Sequence, residues 1–116
     1  MSDGQRAIQE KSFAFSLRVV KLCKYLRQKK TEYILVNQLL RSGTSIGANV
    51  AEAEQAQSKP DFISKMSIAL KETTETKYWL KLLCSAEYLS EFEYQSIMKD
   101  CVEIEKLLVS IVKASK

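Results

Sequence analysis

Histidine is absent from this chain of 116 residues. Its absence removes the commonest general base, the commonest zinc ligand and any Ser-His or Cys-His nucleophile pair. No enzymatic activity, metal or cofactor is therefore expected. Proline occurs once and glycine three times, so few residues are available to start turns or interrupt helices. Long helices are predicted. Cysteine is limited to Cys23, Cys84 and Cys101, an odd number without CxxC spacing. Each sits in an apolar helical stretch and reads as a buried, reduced thiol acting as a small hydrophobe. No stretch approaches the roughly 18 uncharged apolar residues of a membrane span. The polar first ten residues lack the apolar core and cleavage site of a secretory signal. A cytoplasmic protein without membrane contact is expected.

What is present suits one soluble domain spanning residues 1–116, with 46% hydrophobic and 28% charged residues. Ile8, Phe15, Val19, Leu22 and Leu26 recur at helical steps and define one stripe of a first helix. Phe13, Leu17 and Val20 form a second stripe roughly 150° around the same helix. A lone bundle buries one stripe per helix, so the second predicts a subunit contact. Thr31 is a candidate N-cap for a second helix with apolar positions at Leu35, Leu39, Ile46, Val50 and Ala53. Its middle, Arg41 to Asn49, holds Gly43, Gly47 and several hydroxyls, and a loop is the competing local reading. A helix is predicted there because small side chains permit close helix approach and the flanking apolar spacing stays in phase.

Ser58, Pro60 and Asp61 together mark the start of a third helix near Lys59. Its apolar positions run from Phe62 through Trp79 and Leu83 to about Tyr88. Ser90 and Glu93 form a capping-box pattern opening a fourth helix, whose seam is Ile97, Cys101, Ile104, Leu108 and Ile111. Short connections between long helices predict an all-α, antiparallel, up-down-up-down four-helix bundle.

The segment Gln38 to Ala53, centred on Arg41-Ser42-Gly43-Thr44-Ser45-Ile46-Gly47-Ala48-Asn49, resembles the signature of a bacterial four-helix-bundle family. That family was first described from intervening sequences in large-subunit (23S) ribosomal RNA genes. Ser67 to Leu83 resembles its third helix. The pattern departs from the family at Gly47, often proline or a bulkier residue there, and at Ala53, often glycine. The chain is also similar to the accessory variability determinant proteins of diversity-generating retroelements. The resemblance implies a bundle that closes into a ring, typically a homopentamer, without established enzymatic activity, and an association with nucleic acid.

Charge is uneven along the chain. Residues 1–30 hold eight Lys or Arg against two acids, a net +6, whereas the other 86 residues sum to −2. Lys11, Arg18, Lys21, Tyr25 and Lys29 fall within roughly an 80° arc of helix one. With Lys24, Arg27 and Lys30 they are the candidate contacts to RNA or DNA; the competing reading is a solvated face of snorkelling lysines. A homo-oligomeric nucleic-acid adaptor is the leading expectation. A scaffold whose basic strip meets an acidic partner protein is the alternative.

Phe13, Leu17, Val20 and Tyr78 are the candidate interface residues. Arg41, Ser45, Asn49 and Glu52 share one side of helix two, and Glu72 with Glu75 forms an i, i+3 pair on helix three. These six read as a structural polar network; a metal or acid-base site is disfavoured because bundle di-iron sites pair Glu with His.

Overall fold

The computed structural model describes residues 2–29 and 32–116. They form four helices: α1 (Asp3–Gln28), α2 (Tyr33–Ala53), α3 (Lys59–Ser85) and α4 (Glu91–Ser115). Consecutive helices pack side by side, α4 returns to α1, and the backbones of the diagonal pairs stay apart. This is the square, antiparallel bundle predicted from the helix pattern, 44 Å long and about 20 Å wide.

The helix starts follow from their caps. Ser90 Oγ accepts from the Glu93 N–H at 3.0 Å while the Glu93 carboxylate accepts from the Ser90 N–H at 2.9 Å. That hydrogen bonding holds the Glu93 carboxyl below its usual range. Ser58 caps α3 through the Asp61 N–H, with Pro60 in the first turn. Ser2 and Gln5 make a second capping box, so α1 begins at Asp3, a turn before Ile8. Glu32 caps α2 by accepting from the Ile34 N–H at 2.7 Å; Thr31, the expected cap, lies outside the described residues.

Helix α3 ends at Ser85 rather than near Tyr88. Glu87 takes the left-handed conformation, φ 69°. The Tyr88 N–H then reaches the Leu83 carbonyl at 2.9 Å and the Glu87 N–H the Cys84 carbonyl at 3.0 Å. This closes the helix with the paired bonds that a glycine usually permits.

The predicted stripes form the core. Ile8, Phe15, Val19, Leu26, Leu39, Ile46, Val50, Met66, Leu80, Leu83 and the α4 seam are buried. Helix α2 runs unbroken through Gly43 and Gly47, so the loop reading fails. The two glycines are where α1 and α2 meet. A Cβ on Gly43 would stand 2.8 Å and 2.9 Å from the two Val19 methyls, and one on Gly47 would stand 3.2 Å from the Ser12 carbonyl oxygen. A side chain at Gly47 would press on the Ser16 hydroxyl and the Ser12 carbonyl, so the glycine there fits this chain's close α1–α2 contact.

Replacing Gly43 with Ala should gain about 1 kcal/mol of helix propensity and lose about 1–3 kcal/mol to overpacking against Val19. Urea unfolding, followed through the single Trp79, should show net destabilisation. In a Val19→Ala background the added methyl has space, and Gly43→Ala should become neutral or stabilising.

Candidate functional site

The candidate basic strip lies on the side of α1 that faces α4, and α4 answers part of it. Lys11 pairs with Glu103, and Arg18 donates to Asp100 at 2.6 Å and to Ser96 Oγ at 2.6 Å. Lys29 donates to the Tyr25 hydroxyl at 2.9 Å and sits over that ring. Arg27 turns to α2 and donates to Asn37 at 2.7 Å. Lys21 and Lys24 are exposed and make no ion pair among the described residues. Lys30 lies outside them. The strip is therefore less basic than its sequence: Lys11 and Arg18 act as α1–α4 ties, and the free charge is gathered toward the C-terminal half of the helix. Asp100 and Glu103, one turn apart on α4, are the residues that sequence reasoning missed.

The second stripe of α1 remains uncovered. Phe13 is 73% exposed, Leu17 47% and Val20 45%. Phe13 also borders a groove of about 380 Å³ between α1 and α2, walled by Ser16, Thr44, Gly47, Ala48 and Ala51. The glycine contact draws the helices together here, and most of the groove wall is small residues, with Gln9, Phe13 and Glu54 beside them. Tyr78, on α3, is 59% exposed and packs edge-on against Trp79. Helices α1 and α3 are diagonal, with no close backbone approach, so within one subunit the structure keeps Tyr78 apart from Phe13, Leu17 and Val20.

The expected polar network divides. Arg41 bridges Glu72, at 3.1 Å, and Glu75, whose carboxylate also accepts from the Trp79 indole at 2.9 Å. Ser45 and Asn49 take no part. Each donates within its own helix, Ser45 to the Arg41 carbonyl at 2.6 Å and Asn49 to the Ser45 carbonyl at 2.8 Å. Short polar side chains reach the preceding turn before they reach a neighbouring helix. Glu52 lies farther along α2 and pairs with Lys65 at 3.0 Å.

Two links unforeseen in the sequence complete the set. Thr76 Oγ1 donates to Ser42 Oγ at 3.0 Å inside the core, and Lys77 donates to both Glu105 oxygens at 3.0 Å. The Arg41 and Thr76 links thus join α2 to α3, and the Lys77 link joins α3 to α4.

The cysteines also divide. Burial pushes the Cys23 thiol up to about 11 and the Cys101 thiol to about 12, which leaves both as inert filling. Cys84 is only partly buried, against expectation, and its thiol donates to Glu91 at 3.4 Å.

Residues 5–110 match the 23S rRNA-intervening sequence protein family. No curated protein matches the chain. A solved crystal structure of a protein with unknown function from the S23 ribosomal protein family of Bacteroides thetaiotaomicron is 52% identical and superposes with a TM-score of 0.93. The match covers 95% of this chain and 98% of that one.

Substituting Arg41 with Ala releases Glu72 and Glu75 together. Because the guanidinium is half exposed, the expected loss of stability is modest, about 0.5–1 kcal/mol. Trp79 emission in the native state should shift as its acceptor is freed, and Arg41→Lys should rescue only part of both effects, since one ammonium replaces a forked donor.

Proposed function

Because the chain belongs to the 23S rRNA-intervening sequence protein family, we propose that it works without catalysis, as a homo-oligomeric adaptor that binds nucleic acid. The exposed stripe of Phe13, Leu17 and Val20 beside a groove of mainly small residues carries this reading. Three large apolar side chains standing together in water form the kind of patch that a subunit contact covers. Burial of Phe13 and Leu17 contributes on the order of 2 kcal/mol each. Tyr78 lies on the diagonally opposite helix, which suits a head-to-tail contact between unlike faces. Such contacts close into rings, and five subunits is the number the resemblance implies. Repetition around a ring multiplies the free cations Lys21, Lys24 and Lys29, with Tyr25 beside them, into a surface for RNA or DNA.

A second reading draws on the ties already present. Lys11 and Arg18 each hold a carboxylate of one helix, Glu103 and Asp100. The same helix face could grip an acidic helix of a partner protein, with the ring as its scaffold. Partner capture that survives nuclease would favour this reading.

Light scattering of the wild-type chain at tens of micromolar should give an oligomer, and Phe13→Lys with Leu17→Lys should return a monomer of unchanged helix content. A monomeric wild type removes the assembly reading. Affinity for RNA and DNA should fall steeply between about 50 and 200 mM salt. Absence of binding at low salt removes the nucleic-acid reading.

A further inference from the structure

Five lysines that the chain's linear charge balance conceals share one face of the folded bundle. On α4, Lys99, Lys106 and Lys113 recur every seven residues. A seven-residue step drifts only about 20° around a helix, so the three stems stand in a line. The line runs about 21 Å along the axis at a 1.5 Å rise per residue. Lys99 lies two residues from the buried Ile97, about 200° around the helix from the core side, and all three lysines are exposed.

The acids of α4 nearest this line are engaged by cations of the neighbouring helices. Asp100 and Glu103 hold Arg18 and Lys11 of α1, and Glu105 holds Lys77 of α3. The Lys77–Glu105 pair also sets the antiparallel register of α3 on α4. By that register Lys81 lies alongside the stretch from Lys99 to Lys106, and Lys71 alongside the stretch from Lys106 to Lys113. Both are exposed, and none of the five makes an ion pair among the described residues.

We propose that this α3–α4 face is a track for the phosphate backbone of duplex nucleic acid, bound without regard to sequence. It rests on the nucleic-acid reading above and moves its main contact away from α1. Lysines supply point charges and lack the forked donors that read base edges. Along the α4 line lies a shallow depression of about 550 Å³ whose walls include Gln95, Met98, Val102 and Glu103, the last already held by Lys11. The depression itself holds no aromatic ring, and on the α3 side Tyr78 offers one exposed ring rather than the series on which successive unpaired bases stack, which favours duplex over single strand. Met98 and Val102 are half buried and leave no projecting apolar wedge for a lipid surface or a protein hot spot.

The test compares two triple variants, Lys99→Glu/Lys106→Glu/Lys113→Glu on α4 and Lys21→Glu/Lys24→Glu/Lys29→Glu on α1. Fluorescence anisotropy is read with short labelled RNA and DNA duplexes across a salt series, and circular dichroism and solution mass verify fold and assembly. The α4 variant should lose at least tenfold in affinity, and the slope of log affinity against log salt should flatten by about 2–3 as three phosphate contacts vanish. Lys→Gln versions at the same three positions keep the measurement open if charge reversal disturbs folding, and should flatten the slope equally.

Unchanged duplex binding by a folded α4 variant, with loss in the α1 variant, overturns this inference and leaves the adaptor reading intact. A wild type that binds neither duplex at low salt overturns both. Equal binding to phosphatidylserine vesicles or polyglutamate, with the duplexes no better, overturns the choice of nucleic acid.

Discussion

At Gly43 the Val19 side chain fills the space a Cβ would take, and at Gly47 the Ser12 backbone and Ser16 hydroxyl do, and the rotation of every other helix can be followed outward from that contact. Gly43 against Val19 fixes which side of α2 faces α1. Ser42, its neighbour about 100° around the helix, is thereby aimed at α3, where Thr76 meets it in the core. With Thr76 set, Lys77 turns to α4 and takes Glu105. With Glu105 set, Asp100 and Glu103 face α1 and receive Arg18 and Lys11. Adjacent residues hand one orientation around the square. The hydrophobic effect supplies the bulk of the stability, and these pairs select one arrangement of four amphipathic rods over its near equivalents.

The same rotations sort the surface. Between α1 and α2 it is built mainly from small residues and Phe13, with Glu54 as the charged residue of the groove wall. Between α3 and α4 it is lysine-rich. Between α2 and α3 it is crossed by the Arg41 bridge to Glu72 and Glu75. A chain with net charge +4 thus presents an apolar side and a strongly basic side, and an adaptor needs two such separate surfaces if one is to assemble and the other to bind.

Most of the fold was legible because it rests on local rules. Ser58 and Ser90 announce their helices by caps whose partners lie within three residues, and the apolar positions of α4 repeat at steps of four and three. Helix α2 through its glycines was legible only from the phase of its flanks. The early end of α3 was not, since Glu87 gives no sign in sequence that it will adopt a glycine conformation. The site was less legible for a related reason. Shared helix sides grouped Arg41 with Ser45, Asn49 and Glu52, yet partner choice is decided by side-chain reach and by the next helix. Summing charge along the chain made α1 the basic surface. It could not show that α4 spends its acids on cations of the neighbouring helices, neutralising Lys11 and Arg18 and exposing its own lysines in the same stroke.

The seam between α1 and α4 differs in kind from the other three. It joins the first and last helices, so its closure spans the longest loop in the chain. It is bridged by ion pairs whose groups are about half exposed, a class of contact worth about 0–1 kcal/mol each. Beneath them lie two gaps of about 220 and 170 Å³, walled in part by Phe15, Leu22, Ile97 and Ile104. Few contacts and much chain entropy meet along one line. The α2–α3 hairpin should consequently be the last unit to surrender its amide protons to solvent, with α1 and α4 expected to separate in sub-global openings below the cost of full unfolding.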